Sequence, residues 1–456
     1  MTAPGLKITI KNNLRLTAIP PHLRETLIAR LRFKNPKYQE NLRMKRWNRG
    51  VPSELKFYQN VRGGLWIPRG FIRQLLEVCR KQHTPYIIDD QRRSLPAVDM
   101  VFQGQLRAFQ QKAVDRMLVK DFGTLNAPTG SGKTIMALYM LARRRQPALV
   151  IVHTKDLAAQ WSAQIERFLG IPPDEIGLIG GGKKTLGTKI TVALVQSLYK
   201  CADETAQHIG HLVVDECHRA PSRTFTDAVT EFDCRYMLGL SATPWRRDNL
   251  SNLIFWHLGD MHHQVDKDHL IRSGDVLRAE VVFRKTDFKP YSDPVTEYSK
   301  MLSELTANDD RNRLIAVDVA AEARNHSGIC LVLSDRKRHC ESLRALLKYK
   351  YGIGSEILTG DVHARQREDV RIRLQRGEIK ILIATGQLIG EGFDCPDLTT
   401  LFLATPVRFS GRIIQYLGRI LRPAPGKDRG RVYDYVDVNV EPLVKAARYR
   451  KKVYDA

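Results

Sequence analysis

Apolar and polar positions change their period along the chain near Leu106. Ahead of it, Leu6, Ile8 and Ile10 alternate with Lys7, Thr9 and Lys11, which predicts a strand. Leu23, Leu27, Ile28 and Leu31 recur at helical spacing after Pro20-Pro21, as expected of a helix that opens on prolines. A second amphipathic helix is predicted from Gly70 to about Lys81, with Phe71, Leu75, Leu76 and Cys79 on one face. From His83 to about Gly104 the periodicity fades among prolines and charges. Residues 1–85 are therefore read as one small α+β unit, and 86–104 as a connector.

Beyond Leu106 short apolar runs alternate with amphipathic stretches. Strands are predicted at Gly123–Ala127, Ala148–His153, Ile190–Val195, His211–Glu216 and Tyr236–Leu240. The pattern weakens from Arg246 to about Arg324. It resumes at Gly328–Ser334, Ser355–Leu358, Ile379–Thr385, Leu398–Thr405 and Arg431–Val436. Strands separated by helical stretches are the signature of βαβ units and parallel sheets. Two such series predict two tandem α/β lobes, at 105–282 and 283–456.

Length supports this division, because 456 residues exceed one compact domain. Apolar runs such as Ala148–Val152 fall far short of the roughly 20 residues of a membrane span. The first ten residues lack a signal-peptide core, so a cytoplasmic protein is expected. The seven cysteines, Cys79, Cys201, Cys217, Cys234, Cys330, Cys340 and Cys395, form no CxxC pair. A disulfide framework and a zinc ribbon are thereby disfavoured. The net charge of +24 calls for a polyanionic partner, chiefly nucleic acid. Residues 1–100 hold 20 Lys and Arg against 7 Asp and Glu, a surplus of 13, over half of the total.

Chemistry concentrates in two segments. Ala127-Pro-Thr-Gly-Ser-Gly-Lys-Thr134 follows an apolar strand and opens a helix at Ile135, Met136 and Leu138, the context that a phosphate-binding loop requires. Gly130 and Gly132 let backbone N–H groups turn toward phosphate oxygens, with Pro128, Thr129 and Ser131 completing the loop. Lys133 is expected to reach the β- and γ-phosphates of ATP and Thr134 to ligate Mg²⁺. Further on, His211-Leu-Val-Val-Asp-Glu-Cys-His218 ends an apolar strand in two adjacent carboxylates. Two anions at a strand tip are costly unless a cation lies beside them. Asp215 is expected to hold Mg²⁺ and Glu216 to orient or deprotonate the attacking water. His218 could sense the nucleotide or cap the turn.

These segments resemble the Walker A and DExH boxes of superfamily 2 helicases, the second box reading DECH. Other segments match that family in order. Leu106-Arg-Ala-Phe-Gln110 resembles the adenine-reading glutamine motif, with Arg107 and Gln110 its polar members. Val150 to Thr154, with Leu157 and Gln160-Trp161, resembles motif Ia, and Val195-Gln-Ser197 motif Ic. Ser241-Ala-Thr-Pro244 resembles motif III and Leu331 to Ser334 motif IV. Ala384-Thr385 with Gly390-Glu-Gly-Phe-Asp394 resembles motif V, and Gln415 to Arg422 motif VI. The match spans about Leu106 to Val438. It implies two RecA-like lobes, ATP and Mg²⁺ held between them, and alternate gripping of a nucleic-acid strand. It also implies nucleic-acid contacts from His153, Thr154, Gln196, Ser197, Thr385 and Gly386, and a ribose contact from Asp394.

Residues of the second lobe fit the same chemistry. Gln415, Arg419 and Arg422 lie at spacings of 4 and 3, which predicts one shared helix face. Guanidinium groups from a facing domain would stabilise charge developing on the transferred phosphoryl group. Motif II ends in Cys-His and motif VI begins with Gln415, so the DEAD-box RNA helicase pattern is not met. The LRxFQ opening, the SATP box followed by Trp245-Arg-Arg-Asp248, and the GEGFD box resemble the XPB and UvsW group of DNA translocases. That group's Arg-Glu-Asp element is only approximated by Arg246-Arg247-Asp248, which puts a strand-wedging role for this segment in doubt.

In the N-terminal unit Arg43, Lys45, Arg46 and Arg49 surround Trp47. Basic side chains neutralise phosphates and an exposed indole stacks on bases, so these five are expected to contact nucleic acid. Trp66, between Leu65 and Ile67, is assigned to the core. Lys445–Lys452 is read as part of a basic C-terminal helix. The predicted activity is an ATP-dependent DNA helicase or translocase acting on branched or forked DNA in repair, recombination or replication. The alternatives are an RNA helicase, the motor subunit of a restriction or nuclease complex, and a nucleotide-switched DNA clamp. An ATPase that folds without residues 1–85 is also expected.

Overall fold

The computed structural model describes residues 5–44, 46–219, 223–242, 251–386, 395, 397–407, 410–424 and 427–455. The chain divides into two compact units, Met1–Ala127 with Gly132–Val265, and Pro128–Ser131 with Asp266–Ala456. Both are mixed α/β, and each carries a parallel RecA-like sheet.

The first unit opens with a five-stranded sheet in the order Gln59–Val61, Gly64–Pro68, Asn13–Thr17, Leu6–Ile10, Tyr86–Asp90. The alternation read in residues 6–11 sends Leu6, Ile8 and Ile10 inward. Helix Pro21–Arg30 starts on the prolines and buries Leu23 and Leu27. A 3₁₀ turn at Arg69–Phe71 precedes helix Ile72–Lys81. Two expectations change here. Tyr86–Asp90, assigned to the connector, pairs in parallel with Leu6–Ile10, so the N-terminal sheet runs past residue 85. Trp66, assigned to the core, is 41% exposed, because the strand's two-residue period points it away from Leu65 and Ile67.

The N-terminal fold also shares its core with the parallel-sheet part of the same unit. Leu253 and Trp256 of helix Ser251–Leu258 are buried with Leu6, Leu14, Leu65 and Phe71. From the same helix, Ile254 and Leu258 enter the core of the parallel sheet. Gly70 sits so close to this helix that a Cβ would come within 2.7 Å of the Gly259 backbone nitrogen. Arg69, fully buried, donates through Nη1 to the carbonyls of Lys11 (3.1 Å) and Cys234 (2.9 Å). Its guanidinium also lies over the Phe122 ring.

The eight-stranded sheet follows the order Lys183–Lys184, Gly177–Gly180, Ile190–Leu194, Ala148–Val152, His211–Val214, Tyr236–Ser241, Phe122–Asn126, Met261–Gln264. Its central strands Ala148–Val152 and His211–Val214 are buried along their whole length and, His211 apart, apolar, as suits strands covered on both faces. The second unit carries a six-stranded parallel sheet ordered Ala279–Thr286, Gly430–Asp437, Leu398–Leu403, Ile329–Ser334, Ile381–Thr385, Glu356–Leu358. A lobe boundary at residue 282 falls inside Ala279–Thr286, which pairs with Gly430–Asp437 along its whole length. The C-terminal helix Glu441–Asp455 is pinned by Arg450, whose buried guanidinium makes two bonds to Asp434 at 2.6 and 2.7 Å. All seven cysteines are buried free thiols. No helix among the described residues is long and apolar enough to cross a membrane.

Candidate nucleotide site and nucleic-acid interface

Between Phe122 and Ser241 the family motifs follow the carboxyl ends of parallel strands of one sheet, where open α/β sheets bind ligands. Asn126 and Ser241 end adjacent strands in register, and Val214 lies between Ile151 and Gly239 on its two neighbours. The loops that leave these ends carry residues 127–132, His153-Thr154, Asp215-Glu216 and Ser241. Gln196 and Ser197 follow the next strand, Ile190–Leu194.

The loop after Phe122–Asn126 turns on two glycines in the left-handed region, Gly130 at φ 88° and Gly132 at φ 81°. A side chain there would strain the backbone, and a Cβ on Gly132 would come 2.5 Å from Gln110 Nε2. Ser131 Oγ donates to the Pro128 carbonyl at 2.7 Å. Lys133 opens helix Lys133–Arg144, and its ammonium donates to the Ala127 carbonyl at 3.0 Å, folded back over the loop it would share with phosphates. Thr134 occupies the same first turn. Gln110 is buried, and its amide oxygen accepts from the Arg107 backbone N–H at 2.9 Å, capping helix Ala108–Leu118 beside Gly132. Arg107 itself is exposed.

The acidic pair follows the end of strand His211–Val214, which Tyr236–Ser241 separates from Phe122–Asn126. Asp215 is buried, with Oδ2 accepting from the Trp161 indole at 2.8 Å and Oδ1 from the Glu216 N–H at 2.8 Å. Burial first, and then the Glu216 charge, raise its carboxyl to about 6, against the pull of the Trp161 bond and the Lys133 charge. Glu216 has a φ of 48°, uncommon for a residue with a Cβ. Its Oε2 lies 3.2 Å from His218 Nδ1, and the same nitrogen is 3.1 Å from Ser241 Oγ. His218 therefore bridges the DECH box to the start of motif III. Cys217 packs under this turn with its thiol pushed well up by burial.

A triphosphate with a divalent cation fits these residues. The glycine turn supplies backbone donors, Lys133 a mobile cation, and Asp215 a desolvated carboxylate whose proton a cation would displace. Thr134 and Asp215 are the residues that could hold the cation. Trp161 and Ser241 belong to the site, although the motif pattern alone gives neither a role. The signal that could have found Trp161 is that a buried indole N–H needs an acceptor.

Of the residues expected on nucleic acid, Thr154 caps helix Lys155–Leu169 by accepting from the Leu157 N–H at 3.3 Å. His153 is half-buried, Gln196 exposed and Ser197 half-buried. In the second unit Thr385 ends its strand half-buried, and the Gly386 carbonyl accepts from the Tyr416 hydroxyl at 2.9 Å. Tyr416 belongs to helix Ser410–Ile420, which also bears Gln415 and Arg419, both buried. Gln415 and Arg419, four residues apart, share this helix, whereas Arg422, contrary to what its spacing predicts, does not. The helix ends at Ile420, and Arg422 lies beyond it in the following turn, ahead of Pro423, which cannot continue a helix. Asp394 and residues 243–248 lie outside the described residues, as does Lys45.

In the N-terminal sheet domain Trp47 is 90% exposed, and Arg43, Arg46 and Arg49 around it are exposed too. Arg43 ends helix Pro36–Arg43, and the loop that follows is held by Asn41 and Asn48, whose side chains bond each other at 2.9 Å, with Asn48 donating to the Tyr38 carbonyl at 3.3 Å.

Comparison with known proteins agrees with this arrangement. The family described as type III restriction enzyme, res subunit, matches residues 103–246, and the helicase conserved C-terminal domain matches residues 300–424. The chain is 28% identical over 351 residues to the DNA 3'-5' translocase XPB2 of Sulfurisphaera tokodaii, across 70% of this chain and 79% of that protein. It is 24% identical over 449 residues to the ATP-dependent DNA helicase uvsW of Enterobacteria phage T4, across 92% of this chain and 86% of that protein. Among solved structures, S. cerevisiae Dbp5 bound to RNA and ADP BeF3 matches with a TM-score of 0.54 at 14% identity, over 76% of this chain and 87% of that one. The Pyrococcus furiosus Hef helicase domain matches with a TM-score of 0.50 at 15% identity, over 75% of this chain and 98% of that one. These two likenesses concern the fold. With its motifs in order on two parallel-sheet lobes, the chain is an ATP-dependent helicase of superfamily 2, related to the XPB and UvsW group.

Proposed function

We propose that the protein is a DNA helicase or translocase that uses ATP with Mg²⁺ and acts on branched or forked DNA during repair, recombination or replication. The observation that carries the reading is the acidic pair Asp215-Glu216 beside the glycine loop, with Trp161 and His218 holding it. The names of the XPB2 and uvsW relatives favour DNA over RNA. The surplus of 13 positive charges in residues 1–100 supports a polyanion as the partner.

Bound Mg²⁺ would neutralise charge on the β- and γ-phosphates. Thr134 and Asp215 would hold it, and Lys133 would exchange its bond to the Ala127 carbonyl for phosphate oxygens. Glu216 orients the attacking water and accepts its proton. Arg419 and Arg422 supply positive charge as hydrolysis proceeds, and Gln415 positions the reacting groups with them. Arg107 and Gln110 flank the base, and Asp394 reaches the ribose. His153, Thr154, Gln196, Ser197, Thr385 and Gly386 contact the DNA backbone, while Arg43, Lys45, Arg46, Trp47 and Arg49 extend the grip.

The test is ATPase stimulation by single-stranded, duplex, forked and four-way DNA, with RNA as control. Stimulation greatest on forked or four-way DNA is expected. Equal or greater stimulation by RNA would turn the reading to an RNA helicase. A second reading, the motor subunit of a restriction complex, is favoured by the description of the matched N-terminal family. Co-purification with a nuclease from the native source would support it.

A further inference from the structure

The five-stranded N-terminal sheet buries one face and leaves the other open. Strand register lines up one row of the open face. Thr9 pairs with Arg15, Arg15 with Trp66, and Trp66 with Gln59. Lys7 and Lys11 stand on the same face, two residues to either side of Thr9. Lys7, Thr9, Lys11, Arg15 and Trp66 line a depression of 410 Å³.

The charge there is available. Lys7 pairs with Asp89 at 3.1 Å and Lys11 with Asp233 at 3.9 Å, and both ammonium-bearing side chains are more than half exposed. The Lys7–Asp89 pair is exposed enough to exchange for another anion at little cost, and the buried Asp233 keeps Arg93 as a partner at 3.1 Å when Lys11 turns to another anion. Arg15, directly across from Trp66, makes no ion pair among the described residues. Lys7, Lys11 and Arg15 therefore outnumber the one carboxylate lining the depression, Asp89.

We propose that this face is a binding platform for single-stranded DNA, on which a base stacks against Trp66 while Arg15, Lys7 and Lys11 take the flanking phosphates. The proposal rests on the DNA reading above and deepens it by naming a site apart from the Trp47 loop. An indole on a flat sheet can stack only on an unpaired base, so the platform selects single strands over duplex. Three cations around one aromatic ring favour a polyanion with π-faces over an apolar protein surface.

The experiment uses the full chain without nucleotide and measures fluorescence anisotropy of labelled oligo(dT) and of a duplex of equal length. Trp66→Ala is expected to weaken oligo(dT) binding about 5- to 100-fold, the range for loss of one stacked base, and duplex binding much less. Trp66→Phe should restore most of the affinity, which a folding defect would not allow. Arg15→Glu should flatten the salt dependence of oligo(dT) binding. ATPase activity without DNA should be unchanged in all three. Wild-type affinity of Trp66→Ala for oligo(dT), or equal losses on both DNAs, would overturn the platform while leaving the DNA reading intact. A wild-type chain that binds neither DNA would overturn both.

Discussion

Trp161 donates its indole N–H to Asp215 at 2.8 Å, across 54 positions of sequence. The helix that carries Trp161 begins at the Thr154 cap, so a segment proposed to touch nucleic acid is tied directly to the carboxylate proposed to hold the cation. The bond favours the ionised carboxylate, which burial and Glu216 otherwise disfavour. Trp161→Phe keeps an aromatic ring in the core, leaves a small cavity and removes the donor, so the Asp215 carboxyl should rise further above about 6. Turnover at pH 7 is expected to fall several-fold and to recover at pH 8 or with excess Mg²⁺. A pH–rate profile measures this, and an acid limb superimposable on the wild type would remove the role.

The same carboxylate should make the cation-free protein less stable. Its folded-state carboxyl lies above its unfolded value, so the folded state holds the proton more tightly. Stability therefore falls as pH rises through roughly 4 to 6, and the deficit is complete above that window. Asp215→Asn keeps an acceptor for Trp161 and carries no charge. In chelator it should melt about 2 to 5 °C higher than the wild type at pH 7.5, with little difference at pH 4, and it should not hydrolyse ATP. Calorimetry at both pH values decides, and a lower melting temperature at pH 7.5 would contradict the burial argument.

Lys133 and Glu216 should fail differently. Lys133→Ala removes the phosphate contact, so hydrolysis should vanish while DNA affinity stays within a few-fold. Glu216→Gln keeps the shape of the side chain beside His218 and loses the base, so ATP should bind and remain unhydrolysed on DNA. Filter binding with labelled ATP separates the two variants. A Glu216→Gln chain unable to bind nucleotide would make Glu216 structural, its positive φ then serving only the turn.

Arg419→Ala and Arg422→Ala should each lower kcat by about 10³ to 10⁵ with little change in nucleotide affinity, if both act on developing charge. Arg419 is buried inside helix Ser410–Ile420, whereas Arg422 lies beyond its end. Thermal melting beside the kinetics tells chemistry from packing. An Arg419→Ala chain that loses stability in step with activity would assign that residue to the helix's packing.

The motif-bearing strands are legible in the sequence because each is a short, mostly apolar run buried along most of its length, as Ala148–Val152 is. Half-exposed strands are legible only where apolar and polar residues alternate cleanly, as in Leu6–Ile10. Ala279–Thr286 is only partly buried along most of its length, and a lobe boundary read from apolar pattern falls within it. Tyr86–Asp90 follows Pro85 and ends in two aspartates, features that read as a connector until a parallel partner is known. Trp66 reads as core because its neighbours are Leu65 and Ile67, yet a period of two sends it to the opposite face. Arg422 illustrates a different limit, since spacing places it on a helix that ends before reaching it. The Trp161–Asp215 bond and the shared core of helix Ser251–Leu258 join distant segments, and periodicity is silent about such pairings.

That shared helix changes what truncation should do. Residues 1–85 carry their own strands and helices, which by pattern alone suggests that they can be removed from the ATPase. In the structure Leu253 and Trp256 are buried against Leu14, Leu65 and Phe71, while Ile254 and Leu258 of the same helix fill the core of the parallel sheet. Deleting residues 1–85 would bare Leu253 and Trp256 and strip Cys234 of its bond from Arg69. Exposing two large apolar side chains costs on the order of 4 kcal/mol, a large part of the roughly 5 to 15 kcal/mol that holds a domain folded. The truncated chain is expected to aggregate or to melt well below the full chain. Gly70→Val in the full chain should act in the same direction, because a Cβ there would press on the Phe255–Gly259 backbone. Light scattering with thermal melting of both variants measures this. A soluble truncated chain with the melting temperature and basal ATPase of the full protein would show that the two cores are separable after all.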